Sequence, residues 1–269
     1  MKVKKILGML AVIGFLYNLT LSSDLTAFAE EQEEEKIYLS DYGFRGAVIN
    51  QIEQYGGIVK NELPTAGQME SLERLELTGP EDPKSANISG LQYAVNVKQL
   101  HIFYASNVKD FRSLSDLTEL EQFYYAIEGK DPGESEFTDI RFMSNMKKLK
   151  QLSFSKAVLD LSPLNDLEQL KMIRFENVDE VATVKHLVSR KTKELTFANP
   201  ITYSKQFDDL ELQIYSLSEA EHILISEDEK VITVSEIAEE AESIMIHLGK
   251  TDNEEITHEI RYEIPLVWY

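Results

Sequence analysis

The sequence predicts an α/β solenoid with a curved parallel sheet, a small helical cap before it and an all-β module after it. Three observations lead to this prediction: a recurring apolar triplet in residues 72–198, apolar residues at helical spacing in residues 37–71, and apolar-polar alternation in residues 199–269. Alternation indicates strands because successive side chains of a strand point to opposite faces, whereas apolar residues three or four positions apart share one face of a helix.

The recurring triplet consists of two apolar residues that flank one variable residue. In the first five copies another apolar residue stands three positions earlier, which completes an L-x-x-L-x-L phrase. Successive copies start between 21 (Leu152 to Ile173) and 29 (Phe123 to Leu152) positions apart. This phrase, at a period of about 20–29 residues, is typical of leucine-rich repeats, whose stacked turns bury one continuous core. The copies are residues 75–77, 100–102, 123–125, 152–154, 173–175 and 195–197.

The segment before the repeats is expected to form a helical cap that shields the first turn of the solenoid from water. Phe44, Val48 and Ile52 recur at helical spacing, Asp41 stands at the N-cap position, and Gly56 ends the pattern. A second short helix is expected from about residue 65.

The segment after the repeats shows short runs of period two that are separated by turn residues. Five or six strands of this kind in about 70 residues predict a small immunoglobulin-like (Ig-like) β-sandwich over residues 199–269. Within the repeats, residues 128–136 have the composition of an exposed inserted loop. Contact of this loop with a partner is left open.

The N-terminus predicts export. A lysine-rich start (residues 2–5), an apolar stretch (6–21) and an Ala-Phe-Ala sequence at 27–29 together indicate a secretory signal peptide over residues 1–29. The apolar stretch is shorter than the roughly 20 residues that cross a bilayer, which argues against an uncleaved membrane anchor. Once residues 1–29 are cleaved, no membrane insertion is expected. Residues 30–36 are expected to be a disordered acidic tether. The expected location is extracellular, with loose association with the cell wall left open.

The composition limits the classes of partner. A formal net charge of -20 and a pI of about 4.7 argue against charge-driven binding of nucleic acid or anionic membranes. The same charge is compatible with a solvated acidic surface or with basic partners. The chain contains no cysteine, which excludes disulfides and suits a secreted protein of a Gram-positive bacterium.

The sequence contains no catalytic or metal-binding constellation of recognisable spacing. There is no phosphate-binding glycine loop and no G-x-S-x-G motif, and His258-Glu259 lacks the second histidine of a zinc-protease helix. The five histidines are far apart in sequence. No enzyme activity, cofactor or resident metal is therefore expected, apart from a weak surface calcium site, which is left open.

The variable residues of the triplets are predicted to point outward onto the concave face of the solenoid. Aromatic, methionine and arginine side chains are enriched at protein interfaces, and several stand in this column and its neighbours. The opposing interpretation is that a few scattered apolar side chains on a surface need no explanation. The candidate protein-binding residues are Gln99, His101, Phe103, Gln122, Tyr124, Met172 and Arg174, with Phe103, Tyr124 and Arg174 as anchors.

The chain resembles the internalin family of secreted leucine-rich repeat proteins from Gram-positive bacteria. The resemblance rests on Phe44-Arg45-Gly46-Ala47-Val48 in the predicted cap, the repeats of about 22 residues, phrases such as Asn87-Ile88-Ser89-Gly90-Leu91, and the Ig-like follow-on module. It implies the architecture and a protein-binding role, but not a particular partner. The repeats differ from the family pattern in their uneven lengths. No sorting motif, wall-binding repeat or basic tail follows Tyr269, so the chain is expected to resemble the short, soluble members of the family and not the wall-anchored ones.

Two functions remain open at this point. The first is a secreted, monomeric protein-binding module that engages a host or cell-surface protein through the concave face of the repeats. The second is a structural component of the cell envelope without a high-affinity partner. Fractionation of the cells distinguishes them, because a wall component stays with the cells.

Overall fold

The structure is a computed structural model that describes residues 34–78, 86–104, 108–127, 137–175, 181–182, 185–218, 220 and 222–269. The predicted signal peptide and the predicted inserted loop 128–136 lie outside these residues, as does most of the predicted tether. Residues Lys36–Tyr269 form one structural unit. In the part of the chain that is described, no helix combines the length and the apolarity that crossing a membrane requires.

The described chain contains two α-helices and thirteen strands. The helices are α1 (Tyr42–Gln54) and α2 (Ala66–Glu70). The strands are β1 (Arg74–Thr78), β2 (Gln99–Phe103), β3 (Gln122–Ala126), β4 (Gln151–Phe154), β5 (Met172–Phe175), β6 (Val181–Ala182), β7 (His186–Val188), β8 (Leu195–Ala198), β9 (Gln213–Ser216), β10 (His222–Ile225), β11 (Val231–Ser235), β12 (Ser243–Thr251) and β13 (Ile256–Trp268).

Helix α1 lies against the first strand of the repeats. Its N-cap is Asp41, whose Oδ1 accepts the Phe44 N–H at 3.0 Å and so satisfies one of the free donors at the helix start. Its buried side chains, Phe44, Val48 and Ile52, join the same core as the repeat strands. Gln51 Oε1 accepts the N–H of Glu76 at 2.9 Å, so the helix also satisfies a backbone donor at the edge of the sheet.

Strands β1 to β5 form a parallel sheet in chain order, as the first five triplets predict. Leu75, Leu100, Phe123, Leu152 and Ile173 occupy one row of the sheet and are all buried. The second flanking residues of these triplets are also buried. The alternation of the triplet therefore gives the correct inward and outward positions for each of these strands.

The return halves of the first four repeats share a turn that the triplet pattern does not include. In each, an Asn or Asp side chain accepts the N–H of the residue two positions later, at 2.8 to 3.0 Å, ahead of a short 3₁₀ helix. This local bond fixes the direction in which the chain leaves the sheet. The accepting residues are Asn87, Asp110, Asp139 and Asp160.

The prediction that residues 195–197 form a sixth repeat strand is wrong. Strand β8 pairs antiparallel with β11 in a separate three-stranded sheet of order β10-β11-β8. The place beside β5 is taken by the start of β13, which pairs in parallel and sets Ile256 opposite Ile173. A period of two indicates a strand but does not identify its partner, so the triplet could not distinguish these arrangements.

Residues that follow β8 complete the return side of the stack. The Leu161 N–H donates to the Thr202 carbonyl oxygen at 2.8 Å, and the Thr202 N–H donates to the Leu159 carbonyl oxygen at 2.7 Å. A 3₁₀ helix at Lys205–Phe207 follows, and Phe207 is buried in the repeat core. The last turn of the solenoid is therefore assembled from two separate parts of the C-terminal chain.

The two C-terminal sheets pack on each other around a second core. One is the three-stranded sheet; the other contains β12, β13 and β9 and is continuous with the repeat sheet. The buried side chains of this second core come from both sheets and include Leu195, Ile232, Val234, Ile246 and Ile264. The predicted strands are thus present, but they differ from a self-contained sandwich because the larger sheet is the repeat sheet itself.

Candidate functional site

The outward side chains of the repeat strands lie in three rows that follow from the strand register. Neighbouring strands are about 4.8 Å apart, so residues in one row are adjacent. The rows are Arg74, Gln99, Gln122, Gln151 and Met172; Glu76, His101, Tyr124, Ser153 and Arg174; and Thr78, Phe103 and Ala126.

Four aromatic rings form a cluster on this face, which we call the aromatic cluster. They are His101 and Phe103 on β2, Tyr104 directly after β2, and Tyr124 on β3. The ring centroids of Phe103 and Tyr124 are 5.4 Å apart, and the His101 ring lies 5.9 Å from Tyr124 and 6.0 Å from Phe103. These spacings are in the range of favourable aromatic pairs. Tyr124 is 38% exposed and Tyr104 is 54% exposed, so the aromatic cluster presents ring surface to solvent.

Tyr104 belongs to the aromatic cluster although alternation along β2 assigns it to the buried side. Its φ of 57° is in the left-handed region, which interrupts the alternation at the end of the strand. Its ring centroid lies 6.4 Å from that of Phe103, and its N–H donates to the Ala126 carbonyl oxygen at 3.0 Å. The one signal in the sequence was a second aromatic residue directly after Phe103.

Charged groups at one side of the aromatic cluster are paired with each other. Glu76 bonds Arg74, and this hydrogen bond holds the pKa of the Glu76 carboxyl below its usual value. Glu76 Oε1 also lies 3.7 Å from His101 Nδ1. Burial lowers the pKa of His101, and the Glu76 carboxylate opposes this effect without reversing it. His101 is therefore mainly a neutral ring at pH 7.

The structure brings only some of the candidate residues together. Arg174 shares a row with Tyr124, but Ser153 stands between them, which places the two about 10 Å apart across two strand intervals. Arg174 Nη2 donates to the Glu254 carbonyl oxygen at 3.0 Å, in the turn between β12 and β13. Met172 is separated from Gln122 by Gln151 in the same way.

A second aromatic group, which the sequence pattern does not predict, lies on the same face of the sheet. It consists of Tyr215 on β9 and His247 on β12, whose rings stack with centroids 4.4 Å apart and an interplanar angle of 12°. His247 Nε2 lies 3.7 Å from Glu259 Oε1, and burial lowers the pKa of His247. The sequence offered no local signal, because 32 positions separate Tyr215 from His247.

In the part of the chain that the structure describes, no three His, Asp or Glu side chains are grouped so that they could hold a metal ion. His258 is fully buried, where its Nε2 bonds the Val158 carbonyl oxygen at 2.8 Å. Burial lowers the pKa of His258 to about 4, so the ring is neutral at pH 7.

Comparison with known proteins gives few similarities. No family model matches the chain, and no curated protein matches it. Among solved structures, an internalin (InlF) from Listeria monocytogenes matches with a TM-score of 0.38 and 21% identity over 54% of this chain. This chain covers 38% of the length of that internalin.

Two further solved structures match over more of this chain. The structure of CBM51-2 in complex with GlcNAc and INT domains from Clostridium perfringens ZmpB has a TM-score of 0.27 and 14% identity, covering 91% of this chain and 39% of that one. Listeria monocytogenes InlP has a TM-score of 0.27 and 9% identity, covering 84% of this chain and 96% of InlP. Neither the family nor the function of this chain follows from similarities this low.

Proposed function

We propose that this chain is an exported protein-binding module that engages a host or cell-surface protein through the outward face of its repeat sheet. The observation that supports the proposal best is the aromatic cluster, in which rings on adjacent strands are partly exposed instead of buried in the core.

The aromatic cluster has the properties of an interface centre. Tyr104 and Tyr124 retain ring surface that a partner could bury, and burial of a large apolar side chain contributes roughly 1.5–3 kcal/mol. Contacts with His101 and Phe103 hold the Tyr124 ring in place, so little side-chain freedom remains to be lost on binding. The glutamines of the neighbouring row supply hydrogen-bonding groups beside the rings.

Export is the part of the proposal that rests on the sequence alone. The predicted signal peptide and the resemblance to internalins support a location outside the cell. N-terminal sequencing of secreted protein tests it: a chain that starts near Glu30 agrees with the proposal, and a chain that starts before Ser22 contradicts it.

A pull-down with residues 30–269 as bait tests the binding function. The recovered protein is purified, and its affinity is measured for wild type, for Tyr124→Ala, and for the control Tyr42→Ala, which removes a 76% exposed ring on helix α1. We expect about thirtyfold weaker binding for Tyr124→Ala, because a central aromatic residue often contributes roughly 2 kcal/mol. Wild-type affinity for both Tyr124→Ala and Phe103→Ala would contradict the proposal.

A further inference from the structure

We propose that the binding face does not end with the repeats but continues over β13 and β12 to β9, and that it accepts one folded protein surface that contacts both the aromatic cluster and the second aromatic group. This inference rests on the proposed function, because it extends the same face. It assigns an interface role to the C-terminal strands.

Strand register makes the face continuous. Residues paired across a sheet point to the same side. Arg174 on β5 is paired with Thr257 on β13, and Thr257 is paired with Thr251 on β12. Further along, His247 is paired with both Arg261 and Tyr215. The outward side of the repeats and the side that carries Tyr215 are therefore one surface.

Six strand intervals separate β2 from β9, which corresponds to roughly 29 Å.

The aromatic cluster on β2 and β3 and the second aromatic group on β9 and β12 have a similar arrangement of side chains. Each contains a histidine whose ring contacts a tyrosine ring and whose nitrogen lies 3.7 Å from a glutamate oxygen, Glu76 at one group and Glu259 at the other. Gly249 allows β13 to approach closely beside the second aromatic group, because a Cβ there would lie 2.8 Å from the His258 carbonyl oxygen and 2.9 Å from Glu259 Cγ. Tyr215 is 48% exposed, comparable to Tyr124.

Charge on the face differs from charge on the chain as a whole. The chain carries a formal charge of -20. At the outward positions of β1 to β5, β13, β12 and β9, three arginines balance three glutamates, namely Arg74, Arg174, Arg261, Glu76, Glu259 and Glu263. A neutral region with tyrosine, methionine and arginine has the composition of an interface centre. It favours a partner surface that is itself largely uncharged over a strongly basic one.

The size of the face indicates a folded partner. The five repeat strands present roughly 19 Å by 17 Å, whereas a standard interface buries roughly 800 Å² per partner. Including β13, β12 and β9 extends the width of the face from four strand intervals to seven, or roughly 34 Å. A flexible peptide laid on this face would meet strands whose backbone groups are already paired along the sheet, and it would lose conformational freedom on binding. A folded surface presents ordered side chains without that loss.

The first test uses the purified protein recovered with the 30–269 bait as the probe. We expect Tyr215→Ala to weaken its binding at least about tenfold and Tyr42→Ala to leave it unchanged. If Tyr215→Ala binds the probe as tightly as wild type while Tyr124→Ala binds it more weakly, the binding face does not extend to β9, and the proposed function still stands. Wild-type affinity for Tyr124→Ala and Phe103→Ala would remove the proposed function itself. A short peptide from the probe that binds as tightly as the whole protein would overturn the folded-surface inference.

The second test needs no natural partner. Phenol, a mimic of an aromatic side chain, is titrated into protein with isotope-labelled tyrosine rings. We expect saturable chemical-shift changes at Tyr124 and Tyr215, in the same concentration range, and none at Tyr42. Changes at Tyr124 without changes at Tyr215 would overturn the inference, and the Tyr215→Ala variant identifies the resonance.

Discussion

His258, in the third position of strand β13, lies with its Nε2 2.8 Å from the carbonyl oxygen of Val158 in the return half of the fourth repeat. One hundred positions separate the two residues in the chain. The imidazole is fully buried, with the rings of Phe175 and Tyr203 at centroid distances of 5.4 and 5.6 Å. This contact joins the C-terminal strands to the repeats.

Acid should destabilise the protein through His258. Its pKa in the fold is about 4, below the ordinary value of 6.5, so the unfolded chain binds a proton first as the pH falls. The contribution of the neutral ring is fully present above pH 6.5 and is lost between pH 6.5 and about 4. A pKa difference of this size corresponds to about 3 kcal/mol.

Denaturant titrations of wild type and His258→Phe at pH 7.5, 5.5 and 4.5 measure this effect. We expect wild type to lose more free energy of unfolding than the variant as the pH falls, because the variant has no group to protonate at this site. Parallel curves for the two proteins would show that His258 does not contribute to acid sensitivity.

Deletion of residues 199–269 should destabilise the repeats. It removes Phe207 from the repeat core, and it removes β13, whose pairing covers the edge of β5. We expect a truncated protein that unfolds at lower denaturant concentration or aggregates. A truncation that is monomeric and as stable as the full chain would indicate two independent domains.

Leu152 and Ser153 provide a matched test of the strand register. Leu152 is fully buried in the middle of the parallel sheet, and Ser153 is the next residue on the opposite face. Leu152→Ala should cost about 2–5 kcal/mol through lost transfer energy and the cavity left behind. Ser153→Ala should change the free energy of unfolding by less than about 0.5 kcal/mol. Similar losses for the two variants in a urea titration would refute the register.

Lys250 and Glu229 form an ion pair that should be coupled in stability. Lys250 is 6% exposed, and its Nζ lies 2.8 Å from Glu229 Oε2 and 5.1 Å from the centroid of the Tyr203 ring. Glu229→Gln leaves the ammonium without its carboxylate, and we expect a loss of about 1–3 kcal/mol. In the background Lys250→Met the same change should cost much less. Equal costs in both backgrounds, measured as a double-mutant cycle, would show that the pair is not coupled.

The sequence alone determined the local elements of this protein. Helix α1 follows from Phe44, Val48 and Ile52 at one face with Asp41 as its cap, and both features lie within a few residues of each other. Strands β1 to β5 follow from the alternation in their triplets, which also identified His101, Phe103 and Tyr124 as outward residues. Such patterns can be read because they depend on the geometry of one helix or strand.

Tertiary structure decided which strands are neighbours, and with them the extent of the candidate site. The triplet at 195–197 alternates like the others, yet β8 pairs with β11, and β13 takes the place beside β5. Tyr104 joins the aromatic cluster through one left-handed residue, and Tyr215 meets His247 through pairing across 32 positions. Alternation specifies the two faces of a strand but not its partner, because partner choice depends on packing of the whole chain.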